Sequence, residues 1–330
     1  MAQAPSPVYH ALFTAEDGCA TQLPVMTSSA RLVVGLGEAL WDMLPTGKHL
    51  GGAPLNFAYI ASLLGEHAVI ASRIGNDSLG AEIQAELAGR NLDTSGIQSD
   101  PKLPTGTVDV RFRGGQPEYE IRQPAAWDAL EWTPKWGEIA AKCDAVCFGS
   151  LAQRASKSRQ TIQNFLENTR PECLRVFDIN LRRPFYDREV IDSSLHLATI
   201  LKLNDLELPE IAAILSLKGD STRVLMQQLL DKFGLKMVLV TCGEHGATAV
   251  NEEKIASHPG FKVRVRDTIG AGDAFTAAAI HCILREINLE KTLAIANQWA
   301  SWVASQAGAM PPIGEKERLK MLSGVALSAS

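Results

Sequence analysis

Gly270, Ala271, Gly272 and Asp273 bring two glycines and a carboxylate together where one pattern of residues gives way to another. Upstream, residues 261–266 alternate apolar and basic side chains, the period of a half-buried strand. Downstream, residues 274–286 are rich in Ala, Ile and Leu with no breaker, so a helix is predicted whose first turn is Gly270 to Asp273. A helix start presents unbonded N–H groups and the positive end of the macrodipole, and glycines let an anion come close to the backbone. An acid in that turn can serve the dipole alone. It can also accept the proton of an alcohol, and phosphoryl transfer to a hydroxyl needs such a base beside N–H donors for the developing charge. Gly270, Ala271 and Gly272 are therefore the candidate anion hole and Asp273 the candidate base.

Composition narrows the classes of function. The chain has 330 residues, 46% of them hydrophobic and 21% charged, which suits a soluble globular protein of one large domain or two. Its 37 acidic and 32 basic residues give a net charge of −5, and no run of Lys and Arg offers a polyanion groove, so nucleic acid is not expected as a partner. No apolar run reaches the roughly 20 residues that span a bilayer, and no membrane association is expected. Six cysteines form no C-x-x-C pair, which reads as free thiols of a reducing cytoplasm rather than disulfides. Seven histidines show no zinc-ligand spacing. Residues 1–30 have three prolines, little periodicity and no signal-peptide pattern, and are expected to form a loose extension, with Met26 a possible natural start.

The elements that must position the turn follow in order. Residues 31–37 read as a buried strand, with Asp42 expected just past its end, and Gly51-Gly52-Ala53-Pro54 opens a helix to about Leu64. A strand over 68–72 and a helix over 81–90 come next, then strands over 145–148, 175–179, 200–203 and 236–241 separated by helical segments. This alternation predicts an α/β, doubly wound, mainly parallel sheet flanked by helices. Residues 104–122 break it with a hairpin around Gly114-Gly115. Asp178 and Asn180 fall at the carboxyl edge of the sheet, where such folds bind ligands, and Arg182 beside them can approach phosphates or form a surface ion pair. Asn204 and Glu207 have the spacing of a capping pair, and such oxygen ligands can also hold, through water, a hard cation on a triphosphate.

With these residues set out, Asp-Thr-x-Gly-Ala-Gly-Asp at 267–273 resembles the C-terminal signature of the PfkB, or ribokinase-like, carbohydrate kinases, and the resemblance extends over about residues 31–312. It implies that 31–330 form one ribokinase-like domain, with strands at about 40–50 and 104–122 building a small β-sheet lid. It also implies ATP and Mg²⁺, with a monovalent cation such as K⁺ as a further candidate. The same resemblance makes Asp273 the base and Gly270, Ala271 and Gly272 the anion hole. It sets Asp42, Gly51, Gly52, Asn56 and Asn180 at the sugar, and Lys202, Asn204, Thr241, Gly243, Gly246 and Asn297 at ATP. Glu207 is associated with magnesium, and a homodimer through the lid is possible.

Within the family, the segments 177–185 and 122–128 look most like the fructokinase branch, which implies transfer of the γ-phosphoryl group of ATP to a terminal hydroxyl of fructose. Trp127 is a departure, standing where that branch runs Ala-Ala straight into Asp. Arg122 can pair with a carboxylate and favour an acid sugar, so 2-keto-3-deoxygluconate is the alternative acceptor. A nucleotide-binding regulatory relative would keep the glycines and lose the carboxylate, which is present here as Asp273. A dinucleotide-binding dehydrogenase would need a third glycine after Gly35-x-Gly37, which is absent.

Overall fold

The computed structural model describes residues 30–44, 47–90, 92–113 and 116–322, without the side chains of 110–113 and 116–119. The expected N-terminal extension up to residue 29, Met26, Cys19 and the Gly114-Gly115 turn lie outside them.

The chain begins with β1 (Leu32–Leu36), β2 (Leu40–Leu44), β3 (Gly47–Gly51), α1 (Ala53–Leu63), β4 (His67–Gly75) and α2 (Ser78–Gly89). There follow β5 (Ile97–Asp100), β6 (Gly106–Arg113), β7 (Gln116–Ile121), α3 (Pro134–Lys142), β8 (Ala145–Phe148), α4 (Ser156–Glu167), β9 (Leu174–Asp178) and α5 (Arg188–Leu197). The last third contains β10 (Ile200–Asn204), α6 (Glu207–Ile214), α7 (Thr222–Phe233), β11 (Met237–Thr241), β12 (Ala247–Asn251), β13 (Ile255–His258), α8 (Ala271–Ile283), α9 (Leu289–Ala304) and α10 (Glu315–Leu322).

Nine strands form one sheet in the order β13-β12-β11-β10-β9-β8-β1-β4-β5, parallel from β11 to β5 and antiparallel at β12 and β13. Its central strands are apolar on both faces because both are covered. One face packs with α1, α2, α8 and α9 around Phe57, Ile60, Ile83, Phe275 and Trp299; the other packs with α3 to α7 around Trp136, Ile162, Phe165, Ile191, Ile211 and Leu229. From β1 the chain winds outward through β4 to β5, then returns to β8 on the other side and continues to β11. The strand order therefore switches between β1 and β8, the place where open α/β sheets leave a crevice at their carboxyl ends.

A second sheet, ordered β3-β2-β6-β7, is made from the two segments that interrupt the alternation. Asp42 lies inside β2, opposite His49 of β3, and not past the end of β1 as the run of apolar residues suggested. The chain leaves the large sheet at Gly37, whose φ of 147° and tight packing on Pro54, where a Cβ would come within 2.9 Å of Cγ, admit no side chain.

The alternation over 261–266 does not form the expected strand: the segment makes no ladder, and Arg266 and Asp267 donate their amides to the Ala304 carbonyl at 2.9 and 3.2 Å. Period-two patterning does not report hydrogen bonding: Phe261 and Val263 are half-buried here, whereas Val265 is exposed and the segment has no strand partner among the described residues.

Candidate active site

The carboxyl ends of β1, β8, β9 and β10 converge on the first turn of α8. Gly270 caps that helix in the left-handed conformation, φ 77°, and a Cβ there would come within 2.5 Å of Ala309 Cβ, so glycine is the residue that fits. Ala271 N–H turns back toward the Thr268 carbonyl at 3.3 Å, and Ala274 N–H closes the first helical bond on Gly270 O at 2.9 Å. The amides of Gly270, Gly272 and Asp273 have no backbone acceptor among the described residues. Ala271 is thus the least available of the expected donors, and the Asp273 amide joins the set.

Asp273 stands in this turn with Asn56 Nδ2, from α1, donating to its Oδ2 at 2.8 Å. Burial pushes its carboxyl up to about 6 and Asp178 adds to the rise, against the pull of Asn56, Lys202 and Arg182. Beneath the turn, Lys202 Nζ pairs with Asp178 Oδ1 at 3.1 Å, both groups buried, while Thr276 Oγ1 donates to Asp178 Oδ2 at 2.9 Å. A Cβ on Gly272 would come within 2.9 Å of the Lys202 ammonium. Lys202, expected at ATP, is thus buried beneath the turn and paired with Asp178. Burial alone would lower its proton affinity, but Asp178, Asp273 and Glu207 raise it, and it stays a cation.

The expected sugar residues line the side toward the second sheet. A Cβ on Gly51 would overlap the Asp42 carboxylate. Gly52, φ 112°, leads directly into α1 and Asn56. Burial raises Asp42 to about 6, with His49 and Arg182 lowering it and Asp267 raising it. Asn180 has φ 43° between two anchored neighbours: Ile179 N–H donates to Lys202 O at 3.1 Å and Leu181 N–H to Glu207 Oε1 at 2.9 Å. Arg182 is exposed and its guanidinium bonds only its neighbour's carbonyl, Leu181 O, among the described residues, while its charge acts on Glu38, Asp42 and Asp273 together.

Arg122, at the end of β7, is open to solvent and gives Nε to Asp109 Oδ2 at 2.6 Å. Trp127 is wholly buried under the Arg154 guanidinium, 3.8 Å from its ring centroid, while Arg154 Nε bonds Asp128 at 2.7 Å. It is part of the core.

On the other side, the Asn204 side chain accepts the amides of Leu206 and Glu207 at 2.9 and 2.8 Å, and Glu207 Oε2 accepts the Asn204 amide at 2.8 Å. The capping pair is thus formed, and both Glu207 oxygens already hold backbone N–H groups. Among the described residues there is no group of three or more His, Cys, Asp or Glu that could hold a metal ion. This donor set fits a cation that arrives on a triphosphate and is reached through water. Thr241 ends β11, and Gly243 (φ 54°) and Gly246 (φ 81°) lie in the turn after it. Asn297 is buried on α9 and donates to Leu293 O of its own helix at 2.7 Å, so it is not joined to the turn of α8.

Glu38 escaped the sequence reading. It follows β1 with 3% exposure, and burial pushes its carboxyl up to about 7. The available signal was a lone acid in an otherwise apolar run. Among the described residues no helix is long and apolar enough to cross a membrane. Cys143, Cys147, Cys173, Cys242 and Cys282 are free thiols.

The family model described as pfkB family carbohydrate kinase matches residues 42–316. A putative sugar kinase of Pyrococcus horikoshii is 29% identical over 308 residues, covering 88% of this chain and 95% of its own. Fructokinase-1 of Oryza sativa subsp. japonica is 28% identical over 325 residues, covering 90% and 99%. The crystal structure of a fructokinase with bound ATP from Xylella fastidiosa superposes with a TM-score of 0.77 at 22% identity, over 88% of this chain and 98% of that one.

Proposed function

The chain belongs to the pfkB family of carbohydrate kinases, and from that premise we propose that it is an ATP-dependent fructokinase, phosphorylating a terminal hydroxyl, with Asp273 as its base. The observation that carries the catalytic assignment is the Asp273 carboxylate in the first turn of α8, held by Asn56 at 2.8 Å beside amides that bond nothing else in the backbone. A carboxylate at that place can take the hydroxyl proton as the oxygen attacks phosphorus. The Gly270, Gly272 and Asp273 amides, at the positive end of α8, then meet the negative charge on the transferred group.

The sugar enters from the side of the second sheet, which acts as its lid. Asp42 and Asn56 supply an acceptor and a donor for its hydroxyls, Gly51 and Gly52 leave room beneath it, and Asn180 faces it from the end of β9. ATP lies along the carboxyl ends of β10 and β11, over Asn204 and the Thr241, Gly243 and Gly246 turn, with Arg182 near the phosphates. Magnesium bound to the triphosphate supplies charge neutralisation, and Glu207 reaches it through water. The domain comprises residues 31–330.

Fructose is favoured over an acid sugar because Arg122 already has a carboxylate partner in Asp109. The likeness to rice fructokinase-1 supports the same choice. The test is ADP release with MgATP and a panel of fructose, ribose, glucose and 2-keto-3-deoxygluconate. Release with the acid sugar and none with fructose defeats the choice of acceptor and leaves the kinase class untouched.

A further inference from the structure

Trp127, the residue by which this chain departs from the fructokinase branch, lies under a side chain with no role so far, that of Arg154. Arg154 follows the short turn after β8, and its side chain is 5% exposed. Its guanidinium carbon is 3.8 Å from the Trp127 ring centroid and 4.9 Å from that of Phe185. Nε and Nη2 donate to the two Asp128 carboxylate oxygens at 2.7 and 2.8 Å, and Nη2 also donates to the Arg122 carbonyl at 2.8 Å. A two-pronged bond in the guanidinium plane and a ring against its face fix the group in every direction. Three segments meet on it. Arg122 leaves β7 with its amide bonded to Thr107 O of β6 at 3.0 Å, and Ala126 N–H bonds Pro104 O at 2.7 Å, so both ends of the β6–β7 pair are tied here. Asp128 Oδ2 accepts the Ala125 amide at 2.8 Å, and a Cβ on Gly106 would overlap the Trp127 indole, which seats the same turn against the first residue of β6. Phe185 comes from the segment after β9, and its amide donates to the Arg182 carbonyl at 2.8 Å.

We propose that Arg154 is a positioning residue that joins the second sheet to the Arg182 turn, so that acceptor and phosphates meet in one fixed arrangement. This rests on the second sheet being the lid over the sugar and on Arg182 lying near the phosphates. The sheet carries Asp42 on β2, which pairs with β6, and the segment after β9 carries Asn180 and Arg182. The Arg182 side chain bonds only Leu181 O among the described residues, so its place is set through the backbone of 182–185. Without the link the two parts shift separately, and a misplacement of about 1 Å can cost ~10²-fold in rate. Arg154 is itself anchored apart from both. Its amide donates to Leu151 O at 3.2 Å, and the buried Gln153 side chain beside it donates to Gly149 O and Ser194 Oγ, each at 2.9 Å. Lysine in its place keeps a charge beside Asp128 but has neither the fork nor the flat face. In this role Arg154 touches neither sugar nor ATP.

Amide hydrogen exchange on the unliganded full chain tests the link without any substrate. Phe185→Leu removes the ring on the Arg182 side and leaves Arg122, Trp127 and Asp128 in place. It should speed exchange severalfold in residues 120–128 as well as in 180–187, with α8 unchanged, and Arg154→Lys should do the same. Faster exchange confined to 180–187 in Phe185→Leu, or no change, overturns the proposal. So does faster exchange throughout the chain, the mark of a general loss of stability. With MgATP and fructose, or whichever panel sugar releases ADP, Arg154→Lys should raise the acceptor KM and lower kcat. Together these should take kcat/KM down roughly ten- to a hundredfold, while KM for MgATP moves less than about twofold. Both substitutions in one chain should cost about as much as Arg154→Lys alone, because they break the same link. Additive losses, a fall in kcat with both KM values at wild type, or unchanged kinetics beside altered exchange leave Arg154 a structural tie and overturn its role. Should Arg154→Lys not fold, the Phe185→Leu arm decides alone. If no sugar releases ADP, the acceptor reading fails, while exchange still decides whether the second sheet and the Arg182 turn are joined.

Discussion

The Asn56 side-chain amide donates to Asp273 Oδ2 at 2.8 Å, joining α1 to α8 across 217 residues of sequence. That bond makes two distant glycine segments into one site. Asp273 Oδ1 makes no hydrogen bond among the described residues, which leaves one carboxylate oxygen held and the other available for a proton.

Asp273→Asn should keep ATP binding and lower turnover by the ~10²–10⁴-fold typical of a lost general base. It should also stabilise the fold at neutral pH. The folded-state pKa is raised from 3.8 to about 6, so the ionised carboxylate opposes folding increasingly as pH rises through that window. The Tm of the mutant should therefore exceed that of the wild type at pH 7 and approach it near pH 4. Near-normal turnover in this mutant would remove Asp273 from the mechanism.

Asn56→Ala removes a hydrogen bond that favours the charged form of Asp273. The acid limb of kcat/KM, expected near 6 in the wild type, should move to higher pH, with the larger loss of activity on the acid side. A profile scaled down equally at every pH would mean that Asn56 serves substrate binding alone.

The turn of α8 was legible in the sequence because glycines and a carboxylate at a helix start carry their chemistry locally. The parallel order was legible too, since alternating strands and helices leave few topologies. What could not be read were relations between residues far apart. Lys202 was set at ATP by resemblance alone, and nothing in its apolar strand neighbourhood showed that its ammonium is buried between Asp178 and Gly272. Glu38 went unnoticed because burial, not spacing, gives it its properties. Residues 261–266 carry a strand's period without strand partners, and patterning alone does not report hydrogen bonding.

Lys202→Met should destabilise the protein by ~3–5 kcal/mol, because it leaves Asp178 buried without its cation. Urea unfolding at pH 7 measures this, and adding Asp178→Leu should recover part of the loss, since the uncompensated charge is then gone. A single mutant as stable as the wild type would show that the ion pair carries no such cost.

Arg122→Ala separates the two acceptors. In the structure Arg122 Nε lies 2.6 Å from Asp109 Oδ2 and its side chain is largely exposed, so with a neutral hexose the guanidinium has a partner on the protein and no duty to the sugar. Truncation then removes only a solvent-screened surface pair, and kcat/KM for fructose should change by less than about fivefold. An acid sugar gives the guanidinium a second carboxylate in a charge-assisted bond, so kcat/KM for 2-keto-3-deoxygluconate should fall by roughly ten- to a hundredfold. Measured side by side in wild type and mutant, the ratio of the two losses reads which acceptor Arg122 serves. A large loss with fructose would mean that Arg122 leaves Asp109 when the sugar binds, and the preference for a neutral acceptor would lose its physical basis.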